Sequence, residues 1–123
     1  MKKIVGLAAG LFLTVATFAQ SGVSFNDAQT GYDKTTAQTF NFTLGSQYTV
    51  EQINKTAAFY PSYFTVTTTP ATSGTAVAVT LVEDNEMARR VISRFFISLE
   101  CDNVDVNGTA MPLMDFMAQY IAL

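Results

Sequence analysis

Sulfur-containing side chains near the C-terminus are the residues of this sequence best suited to metal chemistry. Met111, Met114 and Met117 are spaced three apart in the stretch MPLMDFM, and Cys101 precedes them. Thioethers and thiolates are soft ligands that suit Cu(I), and residues three apart in a helix lie on neighbouring turns. One hypothesis is therefore a soft-metal protein that binds copper through these four residues.

The other interpretation places the same methionines in the hydrophobic core, where methionine often fills gaps. Leu113 and Phe116 share the stretch, and Met111 precedes Pro112, which favours the first position of a helix. The chain contains no histidine that would complete a copper site. We favour core packing and expect no cofactor.

Cys101 is the single cysteine, so no disulfide can form within the chain. A free cysteine behaves as a small hydrophobic residue. We therefore expect Cys101 to be buried rather than paired with another chain.

The residue types required for common catalytic mechanisms are largely missing. Without histidine, neither Ser-His-Asp nor Cys-His catalysis is possible, and the chain has no glycine-rich phosphate loop. Glu83 and Asp84 stand at a predicted helix start, where capping and the helix dipole explain acidic residues. Asp102 and Asp105 lack the regular ligand spacing of a calcium loop. We expect the protein not to be an enzyme.

The N-terminus has the layout of a bacterial secretory signal peptide. Lys2 and Lys3 precede an uncharged apolar run, residues 4–15, and small residues at 17 and 19 match a signal-peptidase site. The run is shorter than the ~20 residues that a membrane span needs. The pattern predicts a signal peptide over residues 1–19, export to the periplasm or medium, and no stable membrane span.

Removal of residues 1–19 takes away two of the seven basic residues and none of the ten acidic ones. The remaining 104 residues carry a net charge of −5 and are enough for one domain with its own core. An acidic chain is poorly suited to a phosphate backbone. We therefore expect no nucleic acid as a partner.

Hydrophobic periodicity divides the rest into a flexible leader, residues 20–38, and a single domain, residues 39–123. The leader is polar and shows no period. The domain alternates between the period of strands and the period of helices. The predicted elements, in order, are a strand in TFNFTL, a helix in TVEQINKTAAFY, strands in YFTVTTT and TAVAVTLV, a helix in EDNEMARRVISRFFISLE, a strand in NVDV and a helix in PLMDFMAQYIAL.

The first six elements give the order β-α-β-β-α-β, which predicts an α+β fold with a ferredoxin-like antiparallel sheet, both helices on one face, and a short C-terminal helix as an addition. This order resembles that of the small heavy-metal-associated domains. In that family two cysteines follow the first strand, whereas here the corresponding loop, LGSQYTVEQI, has none. The resemblance therefore covers the order of elements and not the metal function.

The exposed side of the sheet, opposite the helices, is the predicted contact surface. Tyr63, Thr65 and Thr67 alternate with apolar residues in YFTVTTT and so share that side. Aromatic and hydroxyl groups there can pair with a partner strand or a ligand. The sequence thus favours an exported protein-interaction or accessory module with an unidentified protein partner, present as a monomer or weak homodimer.

Overall fold

The structure is a computed structural model that describes residues 22–123, so the predicted signal peptide lies outside the described residues. This part of the chain contains six strands and three helices, and each helix follows two consecutive strands. The strands are β1 Val23–Phe25, β2 Thr39–Gly45, β3 Phe64–Ala71, β4 Gly74–Leu81, β5 Asn103–Val106 and β6 Thr109–Pro112. The helices are α1 Val50–Ala57, α2 Glu86–Ser98 and α3 Leu113–Phe116, the last continued by a π-helical turn, Met117–Ile121.

The strands form one sheet in the order β3-β4-β2-β1-β5-β6, with every neighbouring pair antiparallel except β1 and β5, which are parallel. The predicted α+β class is confirmed. The strand order of the sheet differs from the predicted ferredoxin-like topology, because β1 is inserted between β2 and β5 and because β6 extends the far edge. Residues 22–38, expected to form a flexible leader, contribute this inserted strand.

The sheet has a core face and an open face. Phe42 on β2 pairs with Val77 on β4, and both are buried under the helices. The side chains between the core positions of β2, β3 and β4 point to the opposite side, because successive residues of a strand alternate. These nine residues form the open face: Thr39, Asn41, Thr43, Thr65, Thr67, Thr69, Ala76, Ala78 and Thr80.

Side-chain caps define where the two longer helices begin. The Thr49 hydroxyl accepts a hydrogen bond from the Gln52 backbone N–H at 3.1 Å and starts α1. The Asn85 side chain accepts one from the Ala88 N–H at 2.8 Å and starts α2. Both caps satisfy N–H groups that have no partner within the helix.

Aromatic rings fill the space between the core face and the helices. Phe42 lies 4.8 Å from Phe96 of α2, measured between ring centroids, and Phe25 of β1 lies 5.0 Å from Phe116 of α3. Edge-on and tilted pairs at this spacing add about 0.5–1.5 kcal/mol each beyond their burial. The rings therefore fix α2 and α3 against the same face of the sheet.

The segment from residue 26 to residue 38, here called the N-terminal segment, is packed against the C-terminal helix. The Tyr32 hydroxyl donates to the Tyr120 carbonyl, and the Lys34 ammonium donates to the Ala118 carbonyl at 2.9 Å. Burial, with the nearby charge of Asp27, raises the pKa of Tyr32 to about 12, so its hydroxyl remains a donor at neutral pH. This segment closes one end of the core.

Arg89, on α2, is fully buried and connects three parts of the chain. Its Nε and Nη2 bind the Asp84 carboxylate at 2.7 and 3.0 Å. Its remaining N–H groups reach the carbonyls of Lys34 at 2.6 Å, Ala37 at 2.8 Å and Ile121 at 2.8 Å. The five donors of the guanidinium thus match five hydrogen bonds. These bonds also hold the pKa of Asp84 below its usual value, which keeps its carboxylate charged.

Replacing Arg89 with methionine tests this connection. Loss of the guanidinium leaves the carbonyls of Lys34, Ala37 and Ile121 without their donor. Buried acceptors without a partner cost about 1–3 kcal/mol each, so we expect the free energy of unfolding to fall by about 3–5 kcal/mol. Urea denaturation followed by circular dichroism measures the change.

The matched control is Arg90→Met, one residue further along α2. Arg90 forms an exposed ion pair with Glu86 at 3.2 Å, and such pairs contribute less than about 0.5 kcal/mol. Equal losses in the two variants would contradict the role of Arg89.

Candidate functional site

The open face is arranged in rows that run across the strands. Cross-strand pairing aligns Thr65, Thr80 and Thr39 in the first row. The second row contains Thr67, Ala78 and Asn41, and the third contains Thr69, Ala76 and Thr43. All nine side chains are uncharged, and most carry a hydroxyl or an amide.

Two alanines in β4, the middle one of these three strands, leave a groove along the open face. Ala76 and Ala78 have short side chains, while the strands on either side carry threonine and asparagine at the same level. The result is a shallow depression of about 190 Å³, here called the polar groove. It is lined by Asn26, Asn41, Phe42, Thr67, Thr69, Ala76, Val77 and Ala78.

Hydrogen bonds fix the polar groups along the β2 side of the groove. The Asp27 carboxylate accepts from the backbone N–H of Asn41 at 2.7 Å and from its side-chain amide at 3.1 Å. The Asn26 amide donates to the Thr43 hydroxyl at 2.9 Å. The donors of Asn41 are thus directed to Asp27, which leaves its amide oxygen as an acceptor. These bonds hold the rim in place within the chain itself, which is the condition for pre-organised binding.

On the other side of the groove the threonines of β3 are more accessible. Thr67 and Thr69 are exposed, and their hydroxyls are both donors and acceptors. None of the eight lining residues is titratable, so the groove offers hydrogen bonding and shape rather than proton transfer. The arrangement is suited to binding.

The structure brings two of the three predicted contact residues together on one strand. Thr65 and Thr67 lie on the open face of β3, and both are exposed. Tyr63 immediately precedes β3, and its carbonyl accepts the Val82 N–H at 3.0 Å. Thr67 also lines the polar groove, whereas Thr65 is one row away. That this surface binds a partner stays a prediction.

Sequence reasoning did not select Asn26, Asn41, Ala76 or Ala78 as site residues. Asn26 follows β1, which was not predicted as a strand. The alanines were available as a signal, because small residues at alternate positions of a central strand leave space above it. Whether that space faces solvent depends on which face of the sheet the helices cover. The sequence pattern of this strand alone does not decide that.

The structure places the three methionines in different environments. Met117 is 3% exposed, Met111 is half-buried, and Met114 is 59% exposed. Leu113, Phe116 and Met117 face the core at the spacing of one helix side, so Met114 points outward. The core interpretation therefore fits Met117, fits Met111 in part and fails for Met114. The copper hypothesis stays untested.

Acidic and thiol groups do not converge within residues 22–123, where no group of three or more His, Cys, Asp or Glu side chains is placed to hold a metal ion. Cys101, also part of the copper hypothesis, is 3% exposed, as expected, and its Sγ donates to the Asn103 carbonyl at 3.2 Å. Burial raises the pKa of its thiol to about 12.

Comparisons with models of known protein families, with curated proteins and with solved structures find no match to this chain. Between residues 22 and 123, no helix has both the length and the apolar character needed to cross a bilayer.

Cys101 provides a test of the packing behind the sheet. Because the reactive species is the thiolate, a pKa near 12 lowers its fraction at pH 8 by about a thousandfold relative to an exposed thiol. We expect the reaction with a chromogenic disulfide reagent to be slower by at least that factor in the folded protein than in denaturant.

The control for this experiment is a Cys101→Ala, Met114→Cys variant, whose thiol lies on the surface. It is expected to react at the rate of the unfolded chain. A fast reaction of Cys101 in the folded wild-type protein would contradict its burial.

Proposed function

We propose that this protein is an exported, non-enzymatic interaction module of the bacterial envelope that binds a protein partner through its open face. The observation that carries the proposal is the uncharged, hydroxyl- and amide-bearing surface of β2, β3 and β4 with the polar groove at its centre. The central part of a protein interface is typically depleted in charged residues.

The size of the groove favours a protein partner over a small cofactor. Pockets that enclose drug-sized ligands have volumes of about 300–1,000 Å³, whereas the polar groove has about 190 Å³ and is open to solvent. A depression of this size accepts one side chain of a partner. Threonine hydroxyls and the Asn41 amide oxygen can satisfy the polar groups of that side chain.

Charge supports the same type of partner. After removal of residues 1–19 the chain has a net charge of −5, and the nine residues of the open face contribute none of it. A polyanion would be repelled by the molecule as a whole. Binding at the open face therefore relies on hydrogen bonds and close packing, which require a partner of complementary shape.

A photo-crosslinking residue in place of Thr39 tests the proposal in cells of the host. Thr39 is exposed on the open face of β2, two strands away from the sheet edge at β3. We expect a discrete adduct with another protein, identified by mass spectrometry. Adding Ala78→Gln, which fills the groove, is expected to reduce the adduct at least tenfold, because a side chain of the partner loses its place.

The matched control is the same crosslinking residue in place of Asp115, an exposed position on α3 that faces away from the sheet. It is expected to give no such adduct. An adduct of equal yield from both positions, or no adduct from either, would refute binding through the open face. Circular dichroism confirms that the Ala78→Gln variant is folded.

Export makes a separate prediction about the mature N-terminus. If residues 1–19 are a signal peptide, the protein recovered from the periplasm or medium begins at Gln20 and has 104 residues. Intact-mass measurement reads this directly. Ala19→Arg blocks the small-residue site and is expected to leave the unprocessed chain, while recovery of full-length wild-type protein from the cytoplasm would contradict export.

A further inference from the structure

The two outer edges of the sheet are built differently. β6 is four residues long and ends at Pro112, which has no N–H to offer. β3 is eight residues long, FTVTTTPA, and carries no charge. Natural edge strands are commonly short or protected by charged residues and proline. β3 has only Pro70, near one end, so among the described residues the middle of this long edge is open to pairing.

Along β3, residues that hydrogen-bond to β4 alternate with residues whose backbone groups face outward, away from β4. The Val82 N–H donates to the Tyr63 carbonyl at 3.0 Å, so Tyr63 and every second residue after it bind β4. The intervening residues, Phe64, Val66, Thr68 and Pro70, therefore turn their backbone groups to the outer edge. Leu81 is the β4 residue opposite Phe64, and its N–H donates away from β3, to the Gln38 carbonyl on the β2 side. This agrees with an outward-facing backbone at Phe64.

The outward-facing donors are limited to the middle of the strand. The Phe64 N–H already donates to the Tyr60 carbonyl at 3.2 Å. Pro70 has no N–H. Val66 and Thr68 keep both a donor and an acceptor that no residue between 22 and 123 occupies. They lie symmetrically on either side of Thr67.

We propose that a second copy of this chain binds here, with its β3 antiparallel to the first and the two-fold axis passing through Thr67. In this register Val66 of one copy faces Thr68 of the other, and each such pair exchanges two backbone hydrogen bonds. Phe64 of one copy faces Pro70 of the other. The Phe64 N–H, which already donates to Tyr60, thus lies opposite Pro70, which has no N–H. This register therefore keeps all the hydrogen bonds that Val66 and Thr68 can make.

The side chains complement each other in the same register. On the open face, Thr67 faces Thr67, Thr65 faces Thr69, and Tyr63 faces Ala71. Threonine pairs and aromatic contacts across strands are favourable. No charged residue lies on either β3, so two acidic molecules meet along an uncharged strip. This self-complementarity favours a second copy over an unrelated strand.

Pairing at β3 joins the two sheets and makes their open faces continuous. The contact consists of one strand from each copy, and interfaces of that extent are weak. We therefore expect dimerisation that depends on concentration. It uses the backbone edge of β3 and does not require the partner proposed above, so either proposal can fail without the other.

Cysteine substitutions along β3 test the register. Thr67→Cys places two thiols opposite each other across the axis, at a Cα separation of about 4.5 Å that allows a disulfide. Mild oxidation is expected to give a disulfide-linked dimer of Thr67→Cys and not of Thr65→Cys or Thr69→Cys alone. A mixture of Thr65→Cys and Thr69→Cys proteins is expected to give the mixed dimer. Cys101 is buried and is left in place.

A charge at the axis tests the interface without a crosslink. Sedimentation equilibrium of Thr67→Lys, which places two ammonium groups opposite each other, is expected to show a dissociation constant at least tenfold higher than that of the wild-type protein. Thr109→Lys, on the edge strand β6, is the control and is expected to leave it unchanged.

Three results would overturn the proposal: a wild-type chain that remains monomeric at ~1 mM, equal crosslinking from the three single cysteines, or a dimer unaffected by Thr67→Lys. Circular dichroism of each variant excludes unfolding as the cause. Adducts from Thr39 with another protein would still report on the open face, so the two proposals are distinguished.

Discussion

The buried guanidinium of Arg89 is the interaction on which the arrangement of this chain depends. A buried cation is tolerated only when it is paired and its hydrogen bonds are satisfied, and here Asp84 and three backbone carbonyls supply them. Those carbonyls belong to the N-terminal segment and the C-terminal helix. The guanidinium also lies over the ring of Phe40, 5.4 Å from its centroid. One side chain thus ties α2, both ends of the described chain and the central strand β2 together.

The N-terminal segment also contributes to the open face. It starts at Asn26, directly after β1, where the Asn26 N–H donates to the Asn41 carbonyl of β2 at 2.8 Å. The side chains of Asn26 and Asp27 bind Thr43 and Asn41 and form the rim of the polar groove. The guanidinium of Arg89 holds the other end of the same segment through the carbonyls of Lys34 and Ala37. A threonine-rich strand alone would present hydroxyls but would not fix the amides beside them.

Local signals explain which elements were predictable. The stripe of apolar residues in α2, the caps at Thr49 and Asn85, and the turn at Asn107-Gly108, where both residues have positive φ, each depend on neighbours within a few positions. β1 has three residues, too few for a period to show, and its partners on β2 and β5 are distant in sequence. The predicted topology failed at that strand for this reason. The role of Arg89 was likewise not predicted. Asp84 is close to it in sequence, but the three carbonyls it binds lie more than fifty residues away on one side and more than thirty on the other.

The sequence by itself determined the α+β class, the presence of the long helix, the alternation that places Thr65 and Thr67 on the same side of β3, and the burial of Cys101. These follow from periodicity and side-chain chemistry, which act over a few residues. Only the tertiary structure decided that residues 23–25 form a central strand, that Met114 is exposed while Met117 is buried, and that Ala76 and Ala78 lie at the base of a groove. Each of these depends on which distant segment packs against which face of the sheet or helix. Strand pairing and burial arise from contacts between elements that are far apart in sequence, and the pattern within one element does not contain that information.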